Sequence, residues 1–320
     1  MKKIYYITAV FATLFLVGCG DGIDLPGVNV ETDLNKIPLP DNNVNLEQVE
    51  LKPSTEPMLH EGLHTEEDFR RIRDKKAAGE EPWVSAYQLL VESQFSQKTA
   101  DTYPTEWIKR GVSGDENYMN AARGATIAYQ QALRWKIEQD DEYAAKAVEN
   151  LNKWVQTCVG VTGNTNLSLA AGLYGYEFAI AGELLRDYGG WDRADFAAFQ
   201  NWLLKVFYPA NDDFLKRHHD TNALHYWANW CLCNIAAKMA IGIVTDRRDI
   251  YNEGIAHLQT GDTNGRLRRA IYHDYAPDYN FAQWQESGRD QGHTLMCVGL
   301  MGVICQLAWS QGDDFFAYDD

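Results

Sequence analysis

The chain has 320 residues, with 29 basic and 45 acidic side chains and a formal net charge of −16. Taking Lys2 and Lys3 away with the leader described below leaves 27 basic against 45 acidic groups, a net −18. That balance disfavours nucleic acid and anionic lipid as partners. It admits a polyanionic ligand only where basic groups gather locally, as they do at Lys216-Arg217-His218-His219 and at Arg266, Arg268 and Arg269.

The first residues predict export. Lys2 and Lys3 precede an apolar run over 4–15, and Leu16-Val17-Gly18-Cys19 has the pattern of a lipoprotein cleavage site. The run is too short to span a bilayer, so residues 1–18 read as a signal peptide and Cys19 as the lipid attachment point. The expectation is a lipid-anchored protein of the outer membrane of a Gram-negative cell, facing the periplasm or the surface. Lipid is then its only membrane contact. Residues 19–56 are rich in Asp, Asn, Pro and Val without helical period, and read as a flexible tether to a domain over 57–320.

From there the chain reads as helix after helix. Thr65-Glu66-Glu67-Asp68 is a capping box. The apolar period predicts helices over 66–78, 82–94, 115–138, 141–157, 167–187, 192–206, 221–243, 247–259 and 288–310. Breaks are predicted at Gly79, 139–141, 160–166, 189–190, 209–213 and 245–246. No β-branched alternation with hairpin turns is evident. Helices over 167–187, 221–243 and 294–310 are apolar nearly all round, whereas 141–157, 192–206 and 247–259 are amphipathic. Alternation of buried and half-exposed helices fits the inner and outer rings of an all-α, α/α toroid; a helical-repeat solenoid is the competing arrangement. The five remaining cysteines, Cys158, Cys231, Cys233, Cys297 and Cys305, lack metal-site spacing and read as small core residues, with one incidental pair among them as the alternative. Neither a metal nor another cofactor is expected.

Three segments carry candidate chemistry. Trp284-Gln285-Glu286-Ser287-Gly288-Arg289-Asp290-Gln291-Gly292-His293 precedes the apolar run over 295–309. At a helix start, free N–H groups and the helix dipole suit a carboxylate, and Arg289 and His293 would share a helical face. His225-Tyr226-Trp227-Ala228-Asn229-Trp230 reads as the start of an inner helix. There Trp227 could stack on a sugar ring, and Asn229 could hydrogen-bond hydroxyls or carboxylates. Asn164 and Asn166 occupy the corresponding position before the helix at 167, where at least one is expected to cap it. Tyr272, His273, Tyr275 and Tyr279 lie in the long non-helical stretch over 260–282; such connections are usually functional. A tyrosine near an arginine can have its phenol pKa lowered and act as base or acid.

In order, "LAAGLYGYEFA", "HHDTNALHYWANWCLCNIAAKMAIGI", "DRR", "QWQESGRDQGHT" and "AWSQGDD" resemble the alginate lyase superfamily of α/α-toroid polysaccharide lyases, most closely polysaccharide lyase family 38. The resemblance runs from about Leu63 to the last residue. It implies β-elimination of a 4-linked uronic acid polymer, such as alginate or glucuronan, without a metal. The C5 proton becomes acidic once Asn, His or Arg neutralises the neighbouring carboxylate. A tyrosine then removes that proton, protonates the departing O4, or does both.

By this resemblance the histidine is His225, with His218 or His219 as alternatives because the spacing differs from that of better-known alginate lyases. Asn164 or Asn166 is the amide, Tyr272 or Tyr275 the acid/base, and Arg289 the carboxylate ligand, with Arg266 or Arg269 also possible. Gln285, Trp227, Asn229 and His293 complete the substrate contacts. Family members continue past the "GDD" stretch with helices that close the ring, so an incomplete barrel is expected. A non-catalytic glycan-binding lipoprotein and an α/α-barrel glycoside hydrolase are the alternative functions. The hydrolase would need opposed carboxylates, and Glu286 and Asp290 on one helix face would be poorly placed for it.

Overall fold

In a computed structural model, residues 50–275 and 282–316 are described. Helix α1 (Glu66–Ala77) begins at Thr65, which makes the reciprocal capping box with Asp68. It is followed by α2 (Trp83–Glu92), strand β1 (Trp107–Arg110), α3 (Tyr118–Glu138), α4 (Asp141–Thr157) and β2 (Gly160–Gly163). Next come α5 (Leu167–Leu184), α6 (Arg193–Val206), α7 (Tyr208–Arg217), α8 (Ala228–Val244) and α9 (Arg248–Thr260). The last described elements are α10 (Leu267–Ala270), β3 (Ile271–Asp274), β4 (Ala282–Trp284) and α11 (Gln291–Ser310). Asp140, Asp192 and Asp290 each accept a backbone N–H within the first turn of the helix that follows.

Helices α5 and α8 are buried along almost their whole length, as their uniform apolarity requires. They run parallel. Near their starts Asn234 Nδ2 donates to Ser168 O at 3.2 Å. Beyond their other ends Arg186 donates to Ile243 O and Val244 O. α3 flanks α5, where Tyr118 stacks on Tyr174 with centroids 6.4 Å apart. α11 flanks α8 and shares its direction: Gln285, just ahead of α11, bonds the start of α8. Past the other end of α11, Asp313 accepts from Tyr251 at 2.7 Å. Four inner helices, α3, α5, α8 and α11, therefore stand side by side in an arc, and α4, α6 and α9 return on its outside.

Charged groups sit mostly on the outer layer. Several are nonetheless buried on inner helices, among them Lys238, fully buried on α8, whose Nζ reaches Asp212 at 2.8 Å and Glu253 at 2.5 Å.

Several boundaries differ from the sequence reading. Pro209 does not break the chain; it falls in the first turn of α7, where its missing N–H costs nothing. The helix expected from 221 starts at Ala228, because His218, His219 and Asp220 take positive φ of 50°, 53° and 60°. The helix expected from 288 starts at Gln291, after Glu286 at φ 64°. Two short ladders, β1 with β2 in parallel and β3 with β4 antiparallel, were not foreseen. Strands of three or four residues paired over long sequence distances leave no periodic trace. The five cysteines are free and buried, as expected of core residues. Cys19 lies outside the described residues.

Gly172 lets α5 and α8 touch. A Cβ there would lie 2.4 Å from Cys233 Sγ and 2.9 Å from the Cys233 carbonyl carbon. Gly172→Ala is expected to destabilise the fold by about 1–3 kcal/mol, the usual cost of overpacking. Urea unfolding should show a lower midpoint at constant slope. An unchanged midpoint would mean that the two helices are not held this close.

Candidate active site

The parallel inner helices bring their N-terminal ends, at Tyr118, Leu167, Ala228 and Gln291, to one face of the arc. Helix starts carry unpaired N–H groups and the positive end of the dipole, so this face suits an anion. A cavity of about 240 Å³, lined among others by His60, His64, Lys136, Ile180 and Glu183, lies at the opposite ends of α3 and α5. It is not part of this face.

Two buried amides tie the loops here together. Asn264 Nδ2 donates to Leu224 O at 3.0 Å and to Tyr226 O at 2.8 Å. Gln285 accepts from Ala228 N at 3.1 Å and donates to Arg269 O at 2.9 Å. Gln285 thus caps α8 from a distant segment and fixes the arginine turn beside the His225 loop. Between α7 and α8 the rings form a chain: His225 to Tyr226 at 4.9 Å, Tyr226 to His219 at 5.7 Å, Tyr226 to Trp230 at 4.7 Å. His219 Nε2 lies 2.9 Å from Ser168 Oγ, which fixes its ring against the start of α5. Burial pushes the Tyr226 phenol up, against a hydrogen bond from Thr165.

Tyr272 falls at the irregularity in the β3–β4 register, between Ile271 and His273. Such bulges re-aim a side chain, and Tyr272 is 40 % exposed. Tyr275 instead donates its hydroxyl to Gln283 Oε1 at 3.1 Å. Tyr279 lies outside the described residues. Arg266 and Arg269 sit close enough that burial and the Arg266 charge lower the Arg269 pKa. Arg269 is held through Asp262 O, while Arg266 Nε is buried without a partner among the described residues. Two cations pressed together with no carboxylate in ion-pair range among the described residues, in so acidic a chain, are a natural anion seat.

Other candidates are engaged elsewhere. Arg289 lies in the turn before α11, not on a helical face with His293, and pairs with Glu286 at 2.9 Å and Asp290 at 3.7 Å. The Glu286 side chain is fully buried, which raises its pKa against the pull of His293 and Arg289. His293 Nδ1 is 2.6 Å from Asp290 Oδ2.

Asn229 is 2 % exposed, and its Oδ1 accepts from Trp230 N. As it stands, it does not reach the cleft. Gln285 is likewise buried, with both ends of its amide used, and it positions loops rather than presenting itself to a ligand. His218 is buried with Nε2 unpartnered among the described residues, and burial lowers its pKa. Trp227 is the half-buried N-cap residue of α8. His225 is exposed. Asn164 is exposed and accepts from Asn166 N and Asn166 Nδ2, both at 2.9 Å, making a side-chain turn ahead of α5.

The sequence reading missed Asn264, Ser168, Thr165 and Arg110. Only the small polar run before Arg266 hinted at the first of these. Among the described residues no three His, Cys, Asp or Glu side chains gather as a metal site would require.

Gln285→Ala should cost about 1–2 kcal/mol, the scale of a lost cap with an orphaned buried N–H. Gln285→Glu, which keeps the acceptor but loses the donor, should cost less. Thermal melts of both variants check the order; equal stability of Gln285→Ala and parent would remove the capping role.

The sequence matches the family described as alginate lyase over residues 72–320. No curated protein matches it. Among solved structures, alginate lyase A1-III from Sphingomonas species A1 is similar with a TM-score of 0.56 at 13% identity, over 82% of this chain and 75% of that one. A variant of alginate lyase A1-III complexed with tetrasaccharide gives a TM-score of 0.60 at 13% identity, over 82% and 73%. An alginate lyase from Bacteroides ovatus gives 0.52 at 13% identity, over 80% and 78%. At this identity the structural likeness bears on the fold, an all-α toroid, and the family match supports polysaccharide lyase activity in general. With most of its length matched by that one description, and with inner and outer helices arranged as in these neighbours, the chain belongs to the alginate lyase family.

Proposed function

We propose that the chain cleaves a 4-linked uronic acid polymer, alginate or glucuronan, by β-elimination. The observation that carries this reading is one short segment, 266–272, which holds Arg266, whose buried Nε has no partner among the described residues, and the exposed Tyr272 next to the His225 loop. Arg266 with Arg269 neutralises the carboxylate at C5, and Asn164 adds a hydrogen bond from the α5 side. Neutralisation lets the C5 proton leave, because the charge developing on the carboxylate in the transition state is met by fixed donors. Tyr272 is the acid/base. Its phenol oxygen takes the C5 proton, the C5–H electrons form the C4=C5 double bond, the C4–O4 bond breaks, and the same oxygen passes that proton to O4. His225, exposed beside Tyr226, is the base for the opposite C5 epimer. His218 is buried, which lowers its pKa, and His219 is held by Ser168. Trp227 offers a ring face to the sugar.

The reaction is tested with alginate and glucuronan by the ultraviolet absorbance of an unsaturated uronate. Tyr272→Phe should lower turnover by about 10²-fold or more, and Tyr275→Phe, whose hydroxyl is already committed, should lower it far less. Parental turnover in Tyr272→Phe would move the acid/base elsewhere. New reducing ends without the absorbance would indicate a hydrolase, and binding without cleavage a glycan-binding protein.

The leader ending in Leu16-Val17-Gly18-Cys19 supports a lipid anchor in the outer membrane of a Gram-negative cell, where an exported polymer is met. Cys19→Ala should leave the membrane fraction or stay unprocessed; parental fractionation would remove this part of the proposal.

A further inference from the structure

Three arginines are buried among the described residues; Arg134 has a carboxylate partner, and Arg248 is held by backbone carbonyls with its Nη1 unpartnered among the described residues. Arg134 pairs with Glu138 and bonds the Tyr143 hydroxyl at 2.5 Å. Arg248 donates to Glu56 O and Pro57 O. Arg110, the last residue of β1 and 5 % exposed, has no carboxylate in ion-pair range among the described residues. Its Nη1 lies 3.5 Å from the Tyr174 hydroxyl, at the limit of a hydrogen bond. Its guanidinium rests on the Tyr118 ring, 4.6 Å from the centroid. The nearby acids are occupied: Asp115 takes Lys109, and Glu116 accepts from Gly111 N at 2.7 Å. A buried cation with so little compensation is costly unless an anion joins it.

The backbone around it is built to hold this position. Gly111 has φ 77°, and a Cβ there would lie 1.9 Å from Asn164 Oδ1. Gly163 has φ 145°, and its Cβ would lie 1.7 Å from Arg110 O. Only glycines let β1 and β2 close so that Arg110 abuts Gly163 and Asn164 at the entry to α5. Tyr118 opens α3, and Tyr174 lies two turns into α5. Arg110 therefore belongs to the α3–α5 part of the anion-suited face, while Arg266 and Tyr272 adjoin α8 and α11.

We propose that Arg110, clasped by Tyr118 and Tyr174, is a second carboxylate-binding point of the cleft. It holds a uronate unit of the polymer other than the one undergoing elimination. The planar fork of a guanidinium matches a carboxylate in two parallel hydrogen bonds. A neutral sugar offers it only uncharged hydroxyl oxygens, so the cleft selects runs of uronate over isolated units. This rests on the uronate lyase reading.

Arg110→Met and Arg110→Lys test it in the full chain. For long uronate oligomers Arg110→Met should raise KM and Kd about tenfold or more, with kcat little changed, as expected for a lost charged hydrogen bond. Arg110→Lys should fall between. The shortest cleavable oligomers, and carboxyl-reduced ones, should bind all three proteins alike. Melting temperatures should hold or rise, since a poorly compensated buried charge is removed. Equal losses on long and short substrates, unchanged affinity for long oligomers, or a fall in Tm in both variants would each overturn the proposal. A parent that binds uronate oligomers through Arg110 yet forms no unsaturated product would leave this site standing and sink the lyase reading. A parent that cleaves, with Arg110→Met binding normally, would do the reverse.

Discussion

The approach of α5 to α8 is the constraint on which the rest of the structure depends. Gly172 removes the side chain that would separate them, and buried amides bridge the remaining polar groups: Asn234 Nδ2 to Ser168 O and to Trp230 O, and Asn211 Nδ2 to Asn234 Oδ1. Because the two helices are apolar on all sides, each needs neighbours right round, which α3, α11 and the outer helices supply. Parallel packing then has an electrostatic result. All four inner N-termini point to the same face, and their partial positive charges add where an anionic polymer would lie.

The two ends of the arc differ in charge chemistry. Toward the C-terminal ends, Arg186 forks onto Glu183 and reaches Asp246, while the Gln311 amide accepts from Leu59 N and donates to Leu59 O. At the N-terminal face Arg110 and Arg266 lack carboxylate partners among the described residues, although the chain carries 45 acids. Withholding acids from a few arginines is costly in stability and leaves room for a ligand's own carboxylates. The Gln285 and Asn264 amides hold the loops that carry these groups, so the rigid part of the site is neutral and the charged part stays available.

Much of the fold was legible because it rests on local physics. The capping box at Thr65, the period of the amphipathic outer helices and the uniform apolarity of α5, α8 and α11 each follow from residues within a turn or two. The candidate segments were legible for the same reason: His225, Tyr272 and Arg266 stand in polar, aromatic-rich stretches that interrupt long helices. Their division of labour was not. The decapeptide from Trp284 to His293 looked like the grip on the substrate, yet Glu286 and Asp290 neutralise its Arg289 and His293 from within.

Sequence alone determined most of the helical segments, though not α7 or the starts of α8 and α11, as well as which helices must be buried and which family the chain resembles, since these depend on residue order over short windows. Tertiary structure decided which polar groups are spent on the fold and which are left over. Asn229 and Gln285 are inside, Tyr275 is tied to Gln283, and Tyr272 is turned outward by a bulge. Arg110 shows the same difference in reverse. Nothing in Trp107-Ile108-Lys109-Arg110 sets it apart, and it becomes notable only when β1 closes on β2 and sets its guanidinium against two tyrosines, with no carboxylate in ion-pair range among the described residues. Whether a charge is paired depends on what the rest of the chain brings within a few ångströms, and no local pattern encodes that.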